Sequence, residues 1–112
     1  MRITVVYQER LRDLLREWLA SMAAREPGGD IIARVALDVI RDLFVQCEGE
    51  VPGAVRDPTR GSAFRWWEYT DGFWLGYVVR DRGFGPWRSR RVIVVEVLEC
   101  PPAPSPSEAA RA

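Results

Sequence analysis

The side chains with chemistry to offer are concentrated in the middle of the chain. Residues 51–91 carry eight arginines, at positions 56, 60, 65, 80, 82, 88, 90 and 91, against four acids, while residues 1–50 and 92–112 are each net −2. The same middle stretch holds nine of the twelve aromatic residues. A guanidinium fork matches two oxygens of one phosphate, and rings interleaved with it can stack on unpaired bases. What is missing narrows the chemistry further. All 16 positive charges are arginine and there is no histidine. Ser-His-Asp and Cys-His nucleophiles, His-ligated zinc and an imidazole proton shuttle are therefore excluded. Cys47 and Cys100 are too few for a thiolate zinc site. Catalysis is left to Asp, Glu, Tyr, Cys and Arg; no phosphate-cradling GxxxxGK[ST] loop occurs, and no cofactor is expected.

Arg56, Arg60, Arg65 and Arg80 come from a loop and the strands after it, and could converge on one sheet face to hold phosphate oxygens; the alternative is that they solvate the surface. Phe64 and Trp66 alternate with Arg65, Trp67 and Tyr69 across two faces of one strand. One helical layer cannot bury both faces, so Trp66, Trp67, Trp74 and Trp87 are candidates for binding a protein partner. The segment 80–91 is the most distinctive: Arg80, Arg82, Arg88, Arg90 and Arg91 stand among glycines with Phe84 and Trp87. A nucleic-acid or ribosome contact is one reading, an extended hairpin packed on a partner the other. Glu96 and Glu99 fall on opposite strand faces by period two and are not a paired acid and base. Glu68 reads as a cross-strand ion pair, Cys47 as core and Cys100 as exposed.

These side chains need a frame, and 112 residues with 47% hydrophobic content can supply one domain with a core. Residues 2–7, RITVVY, read as a strand. Leu11, Leu14, Leu15, Trp18, Leu19 and Met22 follow at helical spacing, and Arg25-Glu26-Pro27-Gly28-Gly29 stops that helix. Asp30 reads as the N-cap of a second, whose apolar positions include Ile31, Ile32, Val35, Ala36, Val39, Ile40, Leu43, Phe44 and Cys47. Residues 48–62 are a Pro- and Gly-containing loop. Residues 63–70 and 73–80 form a hairpin through Asp71-Gly72, residues 81–91 a basic loop, and residues 92–99 a strand. The fold expected over residues 1–100 is α+β: a strand, a two-helix hairpin on one face of an antiparallel four-stranded sheet, and the first strand beside the last. Leu11, Leu15, Trp18, Val35, Val39 and Leu43 should face the sheet. Residues 101–112, with four prolines, read as a disordered tail. No apolar run approaches the ~20 residues of a bilayer span, and the N-terminus lacks an apolar h-region, so a cytoplasmic protein without membrane contact is expected.

This order of elements resembles the RelE/ParE family of bacterial toxin proteins. The likeness rests on the strand-helix-helix start, Val51-Pro52-Gly53 in the loop, Phe64-Arg65 opening a strand, the Asp-Gly turn, the return strand Phe73-Trp74-Leu75-Gly76-Tyr77-Val78-Val79 and the Val-rich last strand. It implies a protein acting on mRNA, the translation machinery or another nucleic-acid enzyme, neutralised by an antitoxin. As an enzyme it would be a metal-independent endoribonuclease using Arg65 and Arg80 for charge and Tyr69 or Tyr77 for proton transfer, with Arg56, Arg60, Arg82, Arg88, Arg90 and Arg91 on the RNA. The sequence departs from the family where an arginine should follow the aromatic of the return strand, here Trp74, and at the end of the last strand, here Leu98-Glu99-Cys100-Pro101. The competing reading is a non-catalytic interaction module of the same fold, binding a partner through its aromatic hairpin, with a homodimer among the partners.

Overall fold

The computed structural model describes residues 1–24, 27–70 and 72–102. Arg25, Glu26, Asp71 and residues 103–112, with the helix stop, half of the hairpin turn and most of the tail read from them, lie outside the described residues, as do the side chains of Met22, Asp30 and Ile32. The elements run β1 (Arg2–Tyr7), α1 (Leu11–Ala23), α2 (Gly29–Gln46), β2 (Val55–Arg56), β3 (Phe64–Thr70), β4 (Phe73–Arg82) and β5 (Ser89–Leu98), with single 3₁₀ turns at Pro58–Arg60 and Gly85–Trp87. The class is α+β, with five strands in the order β1-β5-β4-β3-β2.

Two features of the sheet differ from the sequence expectation. The loop after α2 contributes β2, which pairs with β3 at Val55↔Trp66 and Arg56↔Arg65. β1 pairs β5 as expected but runs parallel to it, so the sheet is mixed. The three antiparallel pairings β2–β3, β3–β4 and β4–β5 leave β5 running with β3 and against β2, so the two edge strands β1 and β2 run in opposite directions. A second correction concerns the basic loop. β4 and β5 extend to Arg82 and back from Ser89, because Arg80↔Arg91 and Asp81↔Arg90 continue the ladder, leaving residues 83–88 as the loop.

The core lies between the helices and one face of the sheet. Leu15 and Leu19 of α1, and Ala36, Leu37, Ile40 and Phe44 of α2, meet Trp67, Leu75, Tyr77, Val92, Val94 and Val97. Phe44 packs edge-on against both Trp67 and Tyr77, at centroid separations of 5.5 and 4.9 Å, which rings prefer to a flat sandwich. Val35 and Val39 are not part of this layer; they are 51% and 40% exposed. The apolar arc of α2 is wider than one sheet face can cover, and the turn of the helix centres Ile40 and Phe44 on the sheet while Val35 and Val39 stand on the flank. Helix α2 begins at Gly29 behind a left-handed Gly28, so Asp30 is inside the helix and not its cap. Cys47 ends α2 half-buried, Cys100 is exposed, and Pro102, which the sequence assigned to a free tail, is buried.

Candidate nucleic-acid interface

Directly opposed residues of a sheet share a face, so the register sorts every candidate. Arg65, Trp67, Leu75, Tyr77, Val92, Val94 and Val5 point to the helices. Phe64, Trp66, Trp74, Val78, Arg80, Arg82, Ser89, Arg91, Ile93, Arg2 and Thr4 point to the other, outer face. The outer face has two unlike halves.

Its first half is a grid of arginines. Arg80, Arg91 and Thr4 form one cross-strand row, and Arg82, Ser89 and Arg2 the next. Rows are roughly 7 Å apart along the strands and neighbours roughly 5 Å apart across them. All four arginines are exposed, and none makes an ion pair with a described residue, since the salt bridges use Arg60, Arg65, Arg88 and Arg90. Like charges directly opposite, as at Arg80 and Arg91, are unfavourable for a sheet. A hollow of about 320 Å³ opens here, with Thr4, Arg80, Arg82, Ser89, Arg91 and Ile93 in its lining. Beside it the 83–88 loop carries Phe84 and Trp87, 83% and 79% exposed.

The second half is closed by a lid. Asp57 accepts hydrogen bonds from the Thr59 amide and hydroxyl and, at 3.0 Å, from Trp66 Nε1. These donors hold its carboxyl below the usual range, Thr59 first and Trp66 second. The turn so fixed lays Arg60 over the rings of Phe64 and Trp66, its guanidinium carbon 4.4 and 5.5 Å from their centroids. Arg60 then reaches β5, where both its terminal nitrogens donate to the Glu96 carboxylate, one at 2.8 Å. That pairing, and next to it the partial burial opposing it, leaves the Arg60 pKa above its ordinary value. Glu96 is on this face because of a bulge: β4 pairs Gly76↔Glu96 and then Tyr77↔Val94, so Val95 is the extra residue and the alternation shifts by one. Below the lid, a Cβ on Gly76 would lie 2.8 Å from the Phe64 ring and 2.9 Å from that of Trp66, so only glycine admits both rings.

The four residues expected to form a catalytic set do not share a face. Arg65 is 7% exposed on the helix side, where it donates to Ala63 O at 3.0 Å and to Glu50 Oε1 at 2.7 Å. Tyr77 lies opposite Arg65, fully buried, and its hydroxyl donates to the Gly49 carbonyl at 3.1 Å. Burial pushes its phenol up to about 12 and raises that of Tyr69 as well. Neither ring offers a base near neutral pH. Arg80 alone of the four is on the outer face. The wider convergence of Arg56, Arg60, Arg65 and Arg80 fails for the same reason, because Arg56 opposes Arg65 and shares its side.

The remaining expected residues divide between structural work and open surface. Arg90 clamps the hairpin to the end of α2: it donates to both Asp81 oxygens, at 2.6 and 3.1 Å, and to Glu48 O at 2.8 Å. That pairing lowers the Asp81 pKa and raises that of Arg90. Arg88 approaches Asp81 at 3.7 Å. Arg82 and Arg91 are open. Among the tryptophans, Trp66 and Trp67 are buried, and Trp74 is half-buried with an unpartnered indole nitrogen. Trp87 alone of the four presents its ring to solvent. Glu68 accepts from the Gly72 amide at 3.3 Å instead of pairing with an arginine. Arg2, Thr4 and Ser89 entered the site unforeseen, because only the parallel β1–β5 register aligns them with Arg82 and Arg91.

Among the described residues no helix is long and apolar enough to cross a membrane, and no three His, Cys, Asp or Glu are grouped to hold a metal ion. Comparison with family models, with curated proteins and with solved structures found no match.

Proposed function

We propose that this protein binds single-stranded RNA through the outer face of its sheet, as a binding protein and not through a catalytic set. The observation that carries the reading is the grid of Arg2, Arg80, Arg82 and Arg91: four exposed, unpaired guanidinium groups on adjacent strands, where the fold tolerates like charges face to face. A phosphodiester chain crossing the grid relieves that repulsion, and the Thr4 and Ser89 hydroxyls add donors of the kind that fix a backbone in place. Phe84 and Trp87 stand where bases flanking the bound phosphates can stack, which favours an unpaired strand over a duplex. The RelE/ParE-like reading enters as RNA-directed binding; its cleavage chemistry draws no support from Arg65, Tyr69 and Tyr77, which serve the packed side of the sheet.

The test is a salt titration of a fluorescent single-stranded RNA. The log–log slope of affinity against salt should be about −0.7 for each phosphate neutralised. Arg80→Gln with Arg91→Gln should flatten that slope and weaken binding while leaving the thermal transition in place, whereas Trp87→Ala should weaken binding at an unchanged slope. Salt-insensitive binding, or none, would remove the proposal.

A further inference from the structure

The two edges of the sheet are guarded very differently. At one end β2 is only two residues long, flanked by Pro52 and Pro58. Short strands and nearby prolines are how proteins blunt an edge. At the other end β1 runs six residues with no proline, no bulge and one charge, Arg2. Its backbone polarity can be read from the flanking bonds: Arg2 N donates to Arg88 O and Gln8 N to Val94 O. Even-numbered amides therefore face β5, and by the two-residue period those of Ile3, Val5 and Tyr7 face outward. Each of these three residues presents an open N–H and C=O on the same edge.

We infer that a second copy of this chain pairs with β1, antiparallel across a two-fold axis at Val5. The register follows from the three outward residues. Setting Val5 opposite its own copy places Ile3 opposite Tyr7 of the second copy, and all six outward N–H groups find outward carbonyls; a shift of two residues either way leaves some unpaired. An axis perpendicular to the sheet keeps both helical layers on one side. On the helix side the half-buried side chain of Val5 then meets its own copy and those of Ile3 and Tyr7 meet each other across the axis, where the Tyr7 hydroxyl is buried without a hydrogen-bond partner.

Charge selects the occupant. A hollow of about 860 Å³ runs along this edge beside α1 and α2, and its charged lining is Arg2, Arg12 and Arg41 with Glu9, Asp13 and Asp38. Three of each sign, with no net charge, complement themselves under a two-fold rotation and favour neither a basic nor an acidic peptide. The pairing is independent of RNA, although it would join the two arginine grids into one surface, since Arg2 and Thr4 stand on β1 itself.

The experiment is sedimentation over a wide concentration range without nucleic acid, joined to residue-resolved amide exchange. The expected result is a reversible species of twice the 12.8 kDa monomer mass, with the Ile3, Val5 and Tyr7 amides protected at high concentration and released on dilution. The Thr4 and Val6 amides, held by β5, should stay protected throughout. Val5→Pro removes an outward N–H and no β1–β5 bond, so it should leave a folded monomer; if it does not fold, the exchange pattern of the parent decides alone. A parent that is monomeric at every concentration overturns the inference, as does a dimer in which Ile3, Val5 and Tyr7 exchange freely. So does protection of those amides that appears only on adding an extended peptide, which would give the edge to another chain.

Discussion

The two faces of the sheet bury aromatic rings by different means. On the helix side Phe44, Trp67 and Tyr77 pack ring against ring beneath α2, with Leu15 and Ile40 filling between. On the outer side Phe64 and Trp66 are as well buried, but beneath a single arginine and the turn that carries it. Dry packing is proportional to apolar area and is not screened by salt; a guanidinium held by a carboxylate at the surface is weak and screened. One face therefore holds the fold together, and the other can afford to be rearranged.

The largest expected effect tests the first half of that contrast. Phe44→Ala should cost about 3–5 kcal/mol and Leu15→Ala about 2–5 kcal/mol in urea unfolding, because both side chains are fully buried. Val39→Ala on the same helix layer should stay within about 0.5 kcal/mol, as for other exposed positions. Equal losses at Val39 and Leu15 would break the assignment of the α2 core face.

Gly76→Ala comes next and asks how tightly the outer face is packed. A methyl group within 3 Å of both rings forces them or the strand aside, at about 1–3 kcal/mol. A neutral result in the same unfolding assay would mean that the lid and its rings shift freely.

Smaller is the lid itself. A double-mutant cycle between Arg60→Gln and Glu96→Gln should give a coupling of about 0.2–1 kcal/mol, reduced by added salt, with about 0.5–1 kcal/mol more lost in Arg60→Gln alone for its place over the rings. Coupling that survives high salt would put the pair in a drier setting than its exposure indicates.

The smallest effect depends on pH. Asp57 has a folded-state pKa below its unfolded value of 3.8, so its contribution is present above that value and is lost as the pH falls through the folded pKa. Followed by Trp66 fluorescence, Asp57→Asn should therefore lower stability slightly at neutral pH, where the contribution is present, and have no effect below the folded pKa, so that the acid-side slope of stability against pH becomes shallower.

What the sequence revealed and what it hid follow from range. The periods of α1, α2, β3, β4 and β5 are local, so those elements and the pairing of the first strand with the last were legible. β2 is two residues long and has no period to read, and the direction of β1 is set by a pairing with β5 across most of the chain, which no local period carries. The bulge at Val95 inverted the facing of Glu96, which strict alternation would have put with Val92 and Val94. The lid joins Arg60 to a partner 36 residues away, and nothing in the spacing announces it. Among the candidate residues, the basic middle was correctly sensed as a concentration of charge, but charge alone could not separate Arg65 and Arg90, spent on Glu50 and Asp81, from Arg80, Arg82 and Arg91, which are open.

The parallel pairing of β1 with β5 also sets an order of events during synthesis. The first strand made has the last one as its neighbour, with about 80 residues between them. At roughly 5–20 residues per second, Val5-Val6-Tyr7 waits roughly 4–16 s for Ser89–Leu98 to be made, a β-prone segment with both of its backbone sides bare. The helical hairpin that follows it can form early from local contacts, but β1 cannot take its final place until β5 has been made. Slow decoding anywhere between β1 and the end of β5 would prolong that exposure, and rare codons in that stretch should raise aggregation of the nascent chain.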